Sequence, residues 1–359
     1  MDKKAYDYWL YGLDAIGRKT FLKLKENGYD GFLLYYCNEN EMPSFLGEKQ
    51  KTSIIRGKTK TEEAIHSEFQ KVKNDGIFMT VFGDDDYPKR LYEISDAPAV
   101  LFYKGRLPDE KKKSIAIIGA RNCSQYGKVV AERFASYLAK KDVCVISGMA
   151  NGVDGYAQKA ALFQHGFSVG VLGSGVHVCY PKENYGLYEE LIQKGCVLSE
   201  YLPYVNASAN LFPPRNRIIS GLADALIVVE AKEKSGTLIT VEMALEQGKE
   251  VFVVPGRITD ELSRGCNRLL WEGANPAVSP EKVLESIYAI KSSEERENEW
   301  EAGSLTQKKI LSFLEVTPMH INVLQERTGL SMDVLGRELL LMTLDDRVRQ
   351  VGNNWYQKR

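Results

Sequence analysis

A chain of 359 residues, 44% hydrophobic and 26% charged, is globular in composition and long enough for two or three domains. It holds no apolar run of about 18 residues and opens without an apolar h-region or cleavage site, so neither a membrane span nor a secretory signal is expected and the protein is placed in the cytoplasm. The formal net charge of −1 excludes binding of nucleic acid by bulk basicity, so any anion site must be built locally from a few basic side chains and free backbone N–H groups.

Residues 1–75 are polar, aromatic and helical in pattern. In "LDAIGRKTFLKLKENG", Leu13, Ile16, Phe21, Leu22 and Leu24 line one side of a helix–turn–helix with Gly17 in the turn. The outline is SAM- or helix-hairpin-helix-like, and a small packing domain is the preferred reading. From 76 to 290 the texture changes to short apolar runs alternating with amphipathic stretches: "SIAIIG" (114–119), "VCVISG" (143–148), "FSVGVLG" (167–173), "CVLSE" (196–200), "DALIVVEA" (224–231) and "EVFVVPG" (250–256). Continuous apolar strands separated by helices imply a parallel sheet covered on both faces, hence an α/β fold with a Rossmann-like, doubly wound, mostly parallel sheet. The charged run "KSSEERENEWEAGS" places a linker at 291–304. Residues 305–359 show three short helical patterns and a hairpin turned at Asn353, the winged-helix pattern.

Ligands of open parallel sheets sit outside the carboxyl ends of the strands. Here those ends read "GARNCSQYG", "SGMANGVDG", "GSGVHVCYPKEN", "SEY…FPPRNR", "EAKEKSGT" and "PGR". Small residues at helix starts leave N–H groups and the positive dipole end free for an anion. The candidate residues of a phosphate-binding, polyanion groove are therefore Gly119, Arg121, Ser147, Gly148, Asn151, Gly173, Ser174, Gly175, Lys182, Phe212, Arg215, Asn216, Arg217, Lys234, Ser235, Gly236 and Thr237. Taken singly, each glycine serves a tight turn, Asp154 a helix start, Lys182 a solvated surface, and Ser235 to Thr237 an N-cap. All of these would have to hold at once on one sheet edge, which favours a site.

"LFPPRNRIISG" is the most unusual of these stretches. Pro213 and Pro214 fix the approach to a helix whose first turn is Arg215-Asn216-Arg217. Residues two apart on a helix point roughly opposite ways, so the arginines divide their labour. One is expected to meet a phosphate of the bound polyanion, the other to be tied to an acid such as Glu200 or Glu230. Phe212 is expected at the groove rim, stacking on a base.

Catalytic fingerprints are missing. Gly127 and Lys128 follow Gly119 at the wrong spacing for a P-loop, no loop reads G-x-G-x-x-G, and no nucleophilic triad can be named. Cys37, Cys123, Cys144, Cys179, Cys196 and Cys266 form no C-x-x-C pair, and His66, His165, His177 and His320 stand at no metal-ligand spacing. No catalytic residue, cofactor, metal or disulfide is expected.

From "GDDDYPKRL" to "GCNRLLWEGA", through "IIGARNCSQYG", "SGMANGVDGYAQKAAL", "VLGSGVHVCYPKEN", "FPPRNRIISGLADALIVVEA" and "KSGTLITVEMALEQGKEVFVVPG", the chain resembles the DNA-processing protein A family (DprA, also called Smf). The resemblance implies a non-catalytic protein that binds single-stranded DNA, protects incoming DNA and loads the RecA recombinase during natural transformation. It also implies a homodimer formed through the sheet domain, with "VFVVPG" and "CNRLLWEG" beyond the DNA edge, and no membrane partner. Two positions depart from the family pattern: Asn151 stands where a basic residue is usual and Gln158 where His is usual. Both remove positive charge expected in the groove and shift phosphate contact onto Arg121 and the arginines of "RNR".

The rival reading is an enzyme related to nucleotide phosphoribohydrolases, whose glycine loop "SGTLITVE" resembles, but here only Gly236 and Thr237 remain and Glu242 is displaced. A winged-helix transcription factor is disfavoured because the third helix of the tail sets Arg337 against Asp333 and Glu338, a poor recognition helix.

Overall fold

The computed structural model describes residues 2–288, 305–314, 318–344 and 347–358, so the linker expected at 291–304 lies outside the described residues. The chain divides into two compact units, Met1–Tyr288 and Ala289–Arg359.

The first unit is built on a nine-stranded sheet in the order β1-β2-β6-β5-β4-β3-β7-β8-β9. The six apolar runs form β3 (Ser114–Ile118), β4 (Cys144–Ser147), β5 (Ser168–Val171), β6 (Cys196–Ser199), β7 (Ala225–Val228) and β8 (Glu250–Val253). All neighbouring pairs among them are parallel. Helices cover both faces, so nearly every residue of these strands is buried and none shows the alternation of a half-exposed strand. Two antiparallel strands, β1 (Phe78–Val81) and β2 (Val100–Gly105), extend the β6 edge, and the two-residue β9 (Asn275–Pro276) closes the other. The chain runs outward from β3 through β4, β5 and β6, then returns to lay β7 on the opposite side of β3. The β3/β7 junction is therefore the switch point, where successive crossovers diverge and leave a crevice.

Five helices precede the sheet: α1 (Lys3–Tyr11), α2 (Arg18–Glu26), α3 (Gly31–Tyr36), α4 (Glu48–Gly57) and α5 (Glu62–Asn74). Gly17 caps α2, and Ile16, Phe21 and Leu24 are buried with Leu13 and Leu22 packed beside them. These helices share one core cluster with Met79, Val81, Phe102 and Val197 of the sheet and Leu191 of the helix over it, so their apolar faces are covered by the sheet side as well as by one another. The main crossover helices are α6 (Gln125–Lys140), α7 (Val153–Phe163), α8 (Tyr185–Lys194), α9 (Phe212–Leu222) and α10 (Gly236–Glu246), followed by α11 (Glu261–Trp271) and α12 (Pro280–Tyr288).

Among its described residues the second unit has three helices, α13 (Leu305–Phe313), α14 (Ile321–Thr328) and α15 (Met332–Leu344). A three-stranded sheet accompanies them, β10 (Met319–His320), β12 (Trp355–Lys358) and β11 (Val348–Gly352) in that order. Ile310, Leu324, Leu335, Leu339 and Met342 form its core. This is a winged helix, with Asn354 in the left-handed region at the wing's turn.

Candidate nucleic-acid interface

A cavity of about 660 Å³ opens at the switch point. Gly119 to Asn122 after β3 form one wall, and Lys232 with Lys234 to Thr237 after β7 form the other. Phe212, Arg215 and Asn216 of α9 contribute to the same cavity. A smaller one of about 210 Å³ continues along the edge past Gly148, Asn151, Gly173 and Ser174 after β4 and β5. Arg121, Tyr180, Phe212 and Arg215 border both, so the two form one trough divided by an aromatic and cationic rib. Ser147, Gly175, Lys182 and Arg217 do not border it.

The open end lies at β3 and β7. Ser235 caps α10, its Oγ accepting from Thr237 N–H at 3.2 Å. A Cβ on Gly236 would meet nothing within 4 Å, so this turn stands clear of the protein; Thr237 N–H is held by Ser235 Oγ and Leu238 N–H by Ser235 O at 3.0 Å, which leaves the Gly236 N–H and the positive helix end for an anion. Arg121, Lys182 and Lys234 are exposed and make no ion pair with any described residue, whereas Lys232 is held by Glu261 at 3.0 Å.

The loops after β4 and β5 look alike in sequence but spend their donors internally. Ser147 Oγ donates to Ile117 O at 2.6 Å, Gly148 N–H to Asp154 at 3.0 Å, Ser174 Oγ to Val178 O at 3.0 Å and Gly175 N–H to Val205 O at 2.8 Å. Gly173 is required because the Phe212 ring would lie 2.4 Å from any Cβ placed there. Gln158 is fully buried, donating to Val169 O at 3.0 Å, so it takes no charge out of the trough, contrary to the expectation drawn from its position.

Helix α9 starts earlier than expected, at Phe212, and its first turn contains both prolines. Their missing N–H groups cost nothing there because first-turn donors have no intrahelical partner. The expected division between the arginines holds for one of them. Arg217 forms a buried bidentate pair with Glu200, at 2.6 and 2.5 Å, and its Nε donates to Asp96 O at 2.7 Å. Asp96 also binds Arg18, and Tyr11 donates to Glu200 O at 3.0 Å, so this brace ties the N-terminal helices to α9. Arg215 corrects the expectation of a surface phosphate contact. It is only 5% exposed, and its Nη1 donates to Gly148 O at 2.8 Å and to Val171 O. The reason is the position of the first turn of α9, against the ends of β4 and β5, where bare carbonyls need donors. Burial pushes the Arg215 guanidinium down to about 10, so it stays cationic at neutral pH and places positive charge in the floor of the trough. Burial likewise pushes the Asp154 carboxyl up, against the pull of Arg215. Both side chains press on Gly148, where a Cβ would lie 2.8 Å from Asp154 Oδ2 and 2.9 Å from Arg215 Nη2. Glu230 braces the β3 loop rather than an arginine, accepting from the Ser124 N–H at 2.9 Å and from its Oγ at 2.5 Å.

Phe212 is half-buried at the rib. Tyr180 stacks on it, with ring centroids 5.5 Å apart and planes 28° apart, and the Arg121 guanidinium lies 5.3 Å from its centroid. Tyr180 itself is 47% exposed, so the ring most available to a ligand is the tyrosine. Sequence reasoning missed Tyr180, Asn122 and Lys232. The first sits in "VCYPKEN", a stretch read for its lysine although an aromatic before proline was as plain a signal.

This trough can accept anions and flat rings. The carboxylates nearest it, Asp154 and Glu230, are committed to N–H and hydroxyl donors, and Glu242 is exposed and does not border it. No cluster of three or more potential metal ligands occurs among the described residues.

The fold and trough define a Rossmann-like protein with an open cavity lined by cations and stacked rings at its switch point, followed in the chain by a winged helix. The DNA recombination-mediator protein A family matches residues 78–288, and the DprA winged helix domain matches residues 295–354. The chain belongs to the DprA/Smf family. It is 43% identical over 220 residues to DNA processing protein DprA of Streptococcus pneumoniae, covering 61% of this chain and 76% of that one. It is 37% identical to protein Smf of Borreliella burgdorferi over 77% of this chain and 86% of that one. The X-ray structure of the pneumococcal protein aligns with a TM-score of 0.70 and 35% identity, over 80% of this chain and 99% of that one. DNA processing protein A of Helicobacter pylori, whose structure is described for its single-stranded DNA binding mode, aligns with a TM-score of 0.53 and 28% identity over 59% and 96%.

Proposed function

We propose that this protein binds single-stranded DNA without cleaving it, protects incoming strands in the cytoplasm and loads RecA onto them during natural transformation, acting as a homodimer. The observation that carries the DNA reading is the exposed Tyr180 stacked on Phe212, flanked by cations that no described acid neutralises. Bases of any identity stack on aromatic rings while phosphates meet the cations, a combination suited to single strands and not to a paired duplex. The Helicobacter pylori relative's described binding mode supports the same assignment. Among the described residues no candidate general base borders the trough uncommitted, which favours binding over hydrolysis and disfavours the phosphoribohydrolase reading. Loading of RecA and dimer formation rest on the family resemblance.

Fluorescence anisotropy with labelled single- and double-stranded oligonucleotides across a salt series tests the proposal. Single strands should bind more tightly, with affinity falling by a log–log slope of about 0.7 per phosphate contacted. Preference for duplex, salt-insensitive binding or release of free base from nucleoside monophosphates overturns it. Faster RecA filament nucleation on the bound strand, and a dimer mass in sedimentation, test the remaining parts.

A further inference from the structure

A second trough of about 590 Å³ lies on the far side of the β3 loop, between the first turn of α6 and the end of β8. Only Cys123 separates Asn122, which borders the switch-point cavity, from Ser124, which borders this one, and Leu262 and Ser263 divide in the same way. Tyr126 is 51% exposed in it, and its hydroxyl donates to Pro255 O at 3.1 Å, which pins the ring across the trough. Arg257 is exposed at its edge and forms no ion pair with any described residue. Ser263, only 5% exposed, lines the trough with its hydroxyl beside Gly256. That hydroxyl crowds Gly256 so closely that a Cβ there would lie 2.1 Å from it. A pinned half-exposed ring and a guanidinium without an ion pair in one continuous depression are the components of a nucleotide subsite.

We propose that this trough holds the continuation of a single strand already seated at the switch point, with a base on Tyr126 and a phosphate on Arg257. The proposal rests on the DNA reading of the first trough. Asp260, the N-cap of α11, also borders the second trough and weakens its attraction for a free phosphate. Occupancy then depends on tethering, because a strand anchored next door presents its following nucleotides at high effective concentration.

The test is anisotropy with end-labelled oligothymidylates of roughly 4 to 16 nucleotides, the span of site sizes among single-strand binders, on the native protein and on Tyr126→Ala and Arg257→Ala. Both side chains are exposed, and an unchanged Tm confirms folding. Native affinity should rise in a step once the oligonucleotide reaches the second trough. Each variant should keep the affinity for the shortest oligonucleotides that bind and lose the step, Tyr126→Ala by at least about five-fold, the lower end for one stacked base. No step, or a step that survives both substitutions because it comes from a second copy of the chain, overturns the second trough alone. Failure of every oligonucleotide to bind the native protein overturns the DNA reading beneath it.

Discussion

The loops after β3 and β7 and the loops after β4 and β5 are built from the same small polar residues on the same sheet edge, yet they end in opposite states. After β4 and β5, the first turn of α9 and the side chain of Asp154 reach the strand ends, so serine hydroxyls and glycine N–H groups are consumed within the protein. After β3 and β7, the crossovers diverge and nothing fills the gap, which leaves Arg121, Lys234 and the α10 N-terminus facing solvent. A glycine- and serine-rich strand end is therefore an anion site only where topology leaves its donors unclaimed.

Breaking the closed side should cost stability first. Arg217→Ala leaves Glu200 buried without its partner and should destabilise the first unit by about 3–5 kcal/mol, read as a fall in Tm. An unchanged Tm with lost DNA affinity would mean that Arg217 belongs to the open side. Gly148→Ala drives a methyl group between Asp154 and Arg215 and should cost about 1–3 kcal/mol, again visible in denaturant midpoints. The open side should respond in the reverse sense. Tyr180→Ala should leave Tm nearly unchanged and weaken single-strand binding by about 1–3 kcal/mol in the anisotropy titration. If it unfolds the protein instead, the Tyr180–Phe212 rib is packing and the trough has lost its platform.

Much of the fold was legible because parallel strands buried on both faces must be continuously apolar, and "SIAII" or "ALIV" admits few other readings. β1 and β2 were not recognised because they are short, lie in the edge region and pair antiparallel, where no helical crossover announces them. The site was legible as a sheet edge but not in its chemistry. Which of Arg215 and Arg217 faces outward depends on carbonyls of Gly148 and Val171 more than forty residues away, and neither helical spacing nor composition encodes that. The Arg217–Glu200 pair was foreseeable because an arginine next to an apolar helix face needs an acid and a strand-end glutamate was within reach. Tyr180 is marked in the sequence as an aromatic before proline, but its part in the rib follows only from the stacking of its ring on Phe212.

The smallest expected effect tests whether the closed side can be reopened. Asn151 is exposed and borders the smaller cavity, beside loops whose own donors are spent. A cation there needs no donor from the backbone, because it brings its own. Asn151→Lys, which supplies the basic residue expected there from the family resemblance, should add one phosphate contact. Single-strand affinity should rise about five-fold at 0.1 M salt, the log–log salt slope should steepen by about 0.7, and the gain should vanish toward 1 M salt. Gln158→His is the control at the other departure from the family pattern. Its site is sealed beneath β5, where Nε2 holds Val169 O, so any effect should fall on Tm and leave the salt slope unchanged. A steeper slope from Gln158→His, or none from Asn151→Lys, would show that the strand's path does not follow the cavity past β4.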